Sequence, residues 1–326
     1  MIKDLTIGLV NYNTKQLIIE AIDSVKENTK GVSYDIVVVD NASKDGSQEV
    51  LSKLPGIKYI QNKKNVGFPS AVNQAMKVAD SRYFVAFNSD AKLINDAFTI
   101  MIDFMDKTPK SGISTAQLYF PDGTPQRSHF GFIYPHKKAL SEIRPKLKAL
   151  ASFFKSGVTV NEKNVYIAKS VPEVPQKVDC PLGACFMIKR ECLEEVGLMD
   201  ENIFIYADEV DFAFRAKKAG WNRYLIPEAK ALHEKAASTG KKVSLMYTIH
   251  TQSNFYYSYK HFGIKGWLVI KLGFLIGGLL ALLLSFVSYL FRKGDYKNDV
   301  LQYKEDFQVA MKLFFLRKKV LPPDAI

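Results

Sequence analysis

Asp208-Glu209-Val210-Asp211 puts three carboxylates into four positions. A helical pattern follows, with Phe212, Phe214 and Ala219 apolar, Arg215, Lys217 and Lys218 late, and Gly220 as the expected stop. Acids in a first helical turn complement the helix dipole, yet one or two would suffice. Three suggest chemistry, and a helix amino terminus favours the ionised carboxylate that a general base needs at neutral pH. The preceding Ile203, Phe204, Ile205 and Tyr206 predict a buried strand that delivers these acids to a sheet edge. A second polar cluster, Asn88-Ser89-Asp90, follows the apolar run Tyr83-Phe84-Val85-Ala86-Phe87. His233 closes a third apolar stretch, "YLIPEAKALH". Taken singly, these features fit a turn and a core histidine. Taken together, a carboxylate and an imidazole at two strand ends can hold a hard divalent ion bound to phosphate oxygens.

The elements that must position these residues are legible in the period of the apolar pattern. "LTIGLVNYN" (5–13) and "YDIVVVD" (34–40) are apolar runs of strand length, and so are "IKYIQ" and the run before Asn88. Between them, Leu17, Ile18, Ala21, Ile22 and Val25 recur at helical spacing, as do the apolar residues of "PSAVNQAMKVA". Strands alternating with helices predict parallel βαβ units with right-handed crossovers. Apolar runs without polar alternation fit strands covered on both faces. Three strands end alike, in Asn11-Tyr12-Asn13, Asp40-Asn41 and Asn88-Ser89-Asp90. In a parallel sheet those ends share one edge, where ligands of open α/β folds bind.

The 326 residues are 47% hydrophobic, enough for a full core, and carry a net charge of +12. Such a surplus suits a phosphate-bearing ligand, an anionic membrane or a polynucleotide. Zinc-finger spacing, an RNP-type aromatic motif and a Gly-x-Gly-x-x-Gly loop are all missing, so nucleic acid is not the expected partner. Cys180, Cys185 and Cys192 are spaced unlike zinc ligands and are expected as reduced thiols. The amino-terminal apolar run is shorter than a signal peptide requires and reads as a first strand.

The segments "VNYN", "VVVDNASKDGS", "NVGFPSAVNQA", "FNSDAKL", "CPLGACFMIKRECLEEVGLMDENIFIYADEVDFAFRAKKAGW", "HEKAAS" and "NFYYSYKHFG" occur in this order across residues 5 to about 263. On them the chain resembles the family 2 glycosyltransferases with the GT-A fold, most closely their bacterial rhamnosyltransferase-like branch. The resemblance implies an α/β nucleotide-sugar-binding fold, a mostly parallel sheet flanked by helices. It implies that Asn11 and Asp40 line the nucleotide pocket and that Asn65 helps to close it. Ser89 and Asp90 stand at the metal motif, where Asp90 would bind Mg2+ or Mn2+ and His233 would add a further metal or diphosphate contact. The catalytic base would fall on Glu209, with Asp208 and Asp211 as alternatives. Two departures are visible. Asn88 replaces the first Asp of the Asp-x-Asp motif, and the acidic pair reads Asp-Glu rather than Glu-Asp.

The same resemblance implies a dTDP- or UDP-linked sugar donor, with dTDP-L-rhamnose favoured. The acceptor would be a saccharide on a polyprenyl diphosphate, met at the cytoplasmic face of the membrane. Residues 134–156 carry Lys137, Lys138, Arg144, Lys146, Lys148 and Lys155 among apolar residues, as a membrane-surface helix or a solvated one would. "LGFLIGGLLALLLSFVSYLF" (272–291) is uncharged and long enough to cross a bilayer core. Lys260, Lys265 and Lys271 precede it, and Arg292, Lys293 and Lys297 follow, so both flanks favour the cytoplasm. A crossing, a re-entrant or interfacial segment and a homo-oligomer contact all remain open, and Gly273-x-x-x-Gly277 hints at helix pairing. The expected division is a catalytic domain at 1–263 and a membrane-associating region at 264–326. Two other readings are a non-catalytic nucleotide-sugar-binding protein and a processive synthase. The missing Gln-x-x-Arg-Trp motif and the single span-length segment speak against the synthase.

Overall fold

The computed structural model describes residues 2–155, 167–234 and 243–291. They form two compact units, one of residues 2–132 with 167–234, the other of 133–155 with 243–291. "HEKAAS" beyond Glu234, and Arg292, Lys293 and Lys297, lie outside the described residues.

The first unit opens with β1 (Lys3–Asn11), α1 (Lys15–Asn28), β2 (Tyr34–Asp40), α2 (Ser47–Leu51), β3 (Lys58–Gln61), α3 (Phe68–Lys77) and β4 (Ser81–Asn88). A short β5 (Ala91–Leu93), α4 (Ala97–Lys107), β6 (Ser111–Tyr119) and β7 (His129–Phe130) follow. After α5 (Pro135–Lys155), which belongs to the second unit, come β8 (Gln176–Lys177), β9 (Cys180–Pro181), β10 (Cys185–Lys189), α6 (Arg190–Val196), α7 (Asp208–Lys218) and β11 (Asn222–His233). The main sheet runs β3-β2-β1-β4-β10-β6-β11-β5, with β8 beside β11. Strands β1 to β4 pair in parallel, as the alternating pattern predicts, and β10 enters antiparallel between β4 and β6.

Both sheet faces are covered. Leu5, Ile7 and Leu9 of β1 and Tyr83, Val85 and Phe87 of β4 pack on one face with Ile18, Ile22 and Val25 of α1 and Phe98 and Met101 of α4. On the other face Gly8 admits the Phe84 ring: a Cβ there would lie 2.5 Å from the ring's Cζ and 3.2 Å from Ala75 Cβ of α3. The parallel register places Asn11 opposite Asp40, and Val10 opposite Asn88. The three polar strand ends therefore do share one edge.

The structure departs from the sequence reading at 203–206, which form an irregular loop instead of a strand. Ile203 is buried, whereas Phe204, Ile205 and Tyr206 are only partly so. The loop has its own fastenings. The Asn73 amide of α3 donates to Met199 O at 2.9 Å, and Met199 N donates to Asn73 Oδ1 at 3.0 Å. Phe68 N donates to Phe204 O at 2.8 Å. Gly67, at φ +87°, makes room for that contact, since a Cβ there would lie 2.7 Å from Phe204 O. Side-chain and backbone bonds to α3 thus replace the sheet ladder that the apolar pattern suggested.

In the second unit, α5 packs along α8 (Val243–Phe291), which bends at Gly263 (φ 63°, ψ −163°). The expected boundary at 263/264 lies inside this second unit, which takes in 133–155 and 243–263 as well. Gly266, Gly273 and Gly277 face Pro135, Ala139 and Glu142 in turn, and a Cβ on Gly273 would come within 2.3 Å of Ala139 Cβ. The Gly273-x-x-x-Gly277 pair is used inside the chain, against α5. Glu142 holds Lys138 at 2.9 Å and Lys146 at 3.9 Å. By length and composition, α8 is apolar enough over Thr248–Val287 to cross a membrane.

Asn73→Ala should lower stability by about 1–3 kcal/mol, because it leaves the buried Met199 amide and carbonyl without their side-chain partner. Urea unfolding of the variant beside the parent measures this. An unchanged midpoint would show that the loop does not depend on the Asn73 side chain.

Candidate active site

The turn after β4 reaches its partners through strand pairing. β5 follows Asp90 directly and pairs antiparallel with the end of β11, Ala91 opposite His233. Glu234 N donates to Asp90 O at 2.8 Å and closes the ladder. Asp90 Oδ1 and His233 Nε2 consequently face each other at 3.4 Å, both residues buried. His233 Nδ1 lies 2.8 Å from Gln126 Oε1, and the tautomer that donates there turns the Nε2 lone pair toward Asp90. The Asn88 amide stands 3.5 Å from the same nitrogen. A carboxylate oxygen and an imidazole nitrogen at this separation could together hold a divalent cation. Among the described residues no three His, Cys, Asp or Glu side chains converge, so the protein would contribute two such ligands.

A continuous hydrogen-bond network joins this turn to the other strand ends. Thr14 Oγ1 bonds Ser89 Oγ at 3.0 Å and donates to Asn11 Oδ1 at 2.8 Å. Asn11 Nδ2 donates to Asp40 Oδ2 at 2.7 Å and to Ser43 Oγ at 3.0 Å. Asp40 Oδ1 accepts from Ser43 N at 2.9 Å and from Gln61 Nε2 at 3.1 Å. Asn11 and Asp40 are wholly buried, so they form the floor of the edge and hold its loops. Asn65 Oδ1 accepts from Asn41 Nδ2 at 2.8 Å and from Gly67 N at 3.0 Å, tying the next loop to Asp40's neighbour.

The acidic turn adjoins the same edge. Asn88 N donates to Ala184 O at 3.0 Å, and the adjacent Gly183 lies against Glu209, whose carboxyl carbon is 3.6 Å from where a Cβ would stand. Tyr206 and Ala207 both adopt left-handed backbone (φ 66° and 62°), a strained pair that turns the loop into α7. The three acids have separate fates. Asp211 is fully buried against Arg215 at 2.9 Å, and Arg215 also binds Val196 O and Leu198 O. Asp208 is buried and Glu209 partly exposed. Burial, then the neighbouring Glu209 charge, holds Asp208 well above the usual carboxylate range. Burial also raises Glu209, offset by backbone amide and Asp208 hydrogen bonds. The sequence expectation of an acid kept ionised by the helix terminus alone is thereby amended. Desolvation opposes two charges so close together, and both carboxyls are raised.

Sequence reasoning missed Gln126, which lies in a turn region without periodic signal. It missed Thr14's role although the type was suggestive: a threonine before a helix usually caps it. Here the hydroxyl caps nothing and bonds Asn11 and Ser89. The three cysteines are free and buried, and desolvation pushes Cys185 and Cys192 up to about 12, which leaves them as inert thiols.

The family model "Glycosyl transferase family 2" matches residues 6–197, which hold the whole strand-end network and the 183–184 segment. The chain belongs to that family. An N-acetylglucosaminyl-diphospho-decaprenol L-rhamnosyltransferase of Mycobacterium tuberculosis is 25% identical over 262 residues, covering 76% of this chain and 81% of that protein. A dTDP-rhamnosyl transferase of Shigella flexneri is 21% identical, covering 76% and 75%. The solved mannosyltransferase of Pyrobaculum calidifontis, in complex with GDP-Man and Mn2+, superposes with a TM-score of 0.54 at 15% identity over 97% of this chain and 88% of that one. This last likeness shows the GT-A fold, and the protein is a family 2 glycosyltransferase.

A raised Asp208 makes folding favour its protonated form. That stability is fully present below the unfolded-state pKa and is lost as pH rises through the folded one. Asp208→Asn should therefore raise the melting temperature at neutral pH and flatten its decline on the alkaline side of the usual carboxylate range. Thermal melts across pH test this, and a variant less stable than the parent at neutral pH would refute a raised Asp208.

Proposed function

We propose that the protein is an inverting glycosyltransferase that moves a sugar, L-rhamnose from dTDP-L-rhamnose, onto a saccharide carried by a polyprenyl diphosphate. The observation that carries this reading is the meeting, at one sheet edge, of the Asp90–His233 pair and Glu209, joined through Asn88, Ala184 and Gly183. The names of the two rhamnosyltransferase relatives support the donor and the lipid-linked acceptor.

Asp90 and His233 would hold Mg2+ or Mn2+ against the donor diphosphate. Such an ion supplies counter-charge to the departing diphosphate. Gln126 keeps the His233 lone pair toward Asp90. Ser89, Asn11, Asp40 and Asn65 fix the loops that enclose the nucleotide. The Glu209 carboxylate takes the proton of the acceptor hydroxyl while its oxygen attacks the anomeric carbon. The bond from that carbon to the diphosphate oxygen breaks on the opposite face, and the configuration inverts. Asp208 serves Glu209 as the proton-bearing neighbour, and Asp211 holds Arg215 and the start of α7. Catalysis resides within residues 1–263, and residues 264–326 associate with the cytoplasmic face of the membrane.

Glu209→Gln should slow transfer about 10²–10⁴-fold, the usual cost of losing a general base, with donor affinity little changed. Asp208→Asn should keep most of the rate. A dead Asp208→Asn beside an active Glu209→Gln would move the base to Asp208. Calorimetric titration with dTDP-L-rhamnose should show binding that Asp90→Ala weakens and EDTA reverses. Failure to bind while another nucleotide sugar binds would change the donor.

A further inference from the structure

We propose that α5 and the arm of α8 after Gly263 form one monotopic element that lies in the headgroup region of an anionic bilayer, and that α8 does not cross it. The proposal rests on the membrane association just proposed and specifies how the chain meets the lipid. The arm exposes Leu268, Leu272, Ile276, Leu279, Leu283 and Phe286, spaced by three or four residues along one stripe. Its other side is taken: Gly266, Gly273 and Gly277 abut α5.

The direction of that pairing decides between crossing and lying flat. Positions rise together along the two helices, Pro135 beside Gly266, Ala139 beside Gly273 and Glu142 beside Gly277. A crossing helix would use the uncharged run from Leu272 onward. At a rise of about 1.5 Å per residue, Glu142 would then lie roughly 8 Å inside the hydrocarbon. Arg144 and Lys148, both exposed, would follow at roughly 11 and 17 Å, around the middle of a core about 30 Å thick. A charged side chain at that depth is disfavoured roughly hundredfold, and α5 would bring two exposed ones with it. Lying flat removes the conflict. Exposed Leu140 and Leu147 of α5 give this helix apolar surface of its own, and Lys137, Arg144 and Lys148, interleaved with them at three- and four-residue spacing, would reach phosphate headgroups. A second copy of the chain could cover the apolar stripe, but at a net charge of +12 it would bring like charge toward the basic residues. Charge complementarity selects the anionic lipid.

The test uses the full chain and vesicles of phosphatidylcholine, with or without phosphatidylglycerol. Flotation should show binding that needs the anionic lipid and weakens about 5-fold for each of Lys137→Gln, Arg144→Gln and Lys148→Gln. Single cysteines at Leu140→Cys, Leu147→Cys, Leu272→Cys, Leu279→Cys and Phe286→Cys accept a fluorophore selectively, because the native cysteines are buried. Nitroxide lipids quenching at known depths should place all five labels at one shallow level. Mid-bilayer depth at 279, with 140 and 147 in water, would establish a crossing and overturn the proposal. Absence of vesicle binding, with the α8 labels protected in a dimer, would overturn it in favour of a second copy. Donor titration in detergent on the same variants separates the two readings. Normal donor binding with lost flotation bears on the membrane element, and absent donor binding in the parent bears on the proposed transfer.

Discussion

The arrangement of the site depends on a pairing of three residues. β5 is only Ala91–Leu93, yet its antiparallel ladder with the end of β11 brings Asp90 beside His233, far along the chain. Without that ladder the turn after β4 would be a polar strand end like any other. With it, a carboxylate and an imidazole are held by backbone bonds on both sides. Such a bond contributes only about 0.5–1.5 kcal/mol net, but it fixes direction, and direction is what two ligands to a shared ion require.

A second constraint is the burial of like charges. Three acids in four positions cannot all ionise in a desolvated turn, and the fold resolves this differently for each. Asp211 receives an arginine, Asp208 is buried with its carboxyl raised, and Glu209, also raised, sits where the chain is partly open. The same clustering that signals chemistry in the sequence thus has one member engaged in structure and one in tuning its neighbour. Environments that push paired carboxyls apart are how acid and base roles are divided.

The parallel half of the sheet was legible because unbroken apolar runs of strand length admit few other arrangements, and its shared polar edge followed from strand direction alone. The loop at 203–206 was not. Its four apolar residues imitate a strand, and only the distant Asn73 and Gly67, which sequence proximity does not link to it, reveal that the chain is held by α3. Gln126 was invisible for a related reason. Its value lies in one contact made across more than a hundred residues, and no periodicity records such a contact. Residues that act by geometry within an element leave a pattern, whereas residues that act between distant loops do not.

The left-handed backbone at Tyr206 and Ala207 has a consequence for how the turn tolerates change. Glycine would adopt these angles without steric cost, but it would also widen the set of conformations open to the unfolded chain and to the loop itself. The alanine accepts local tension and in return leaves the loop few alternative paths into α7. Precision of aim at the acidic turn is therefore conformational scarcity, set by the backbone at two positions.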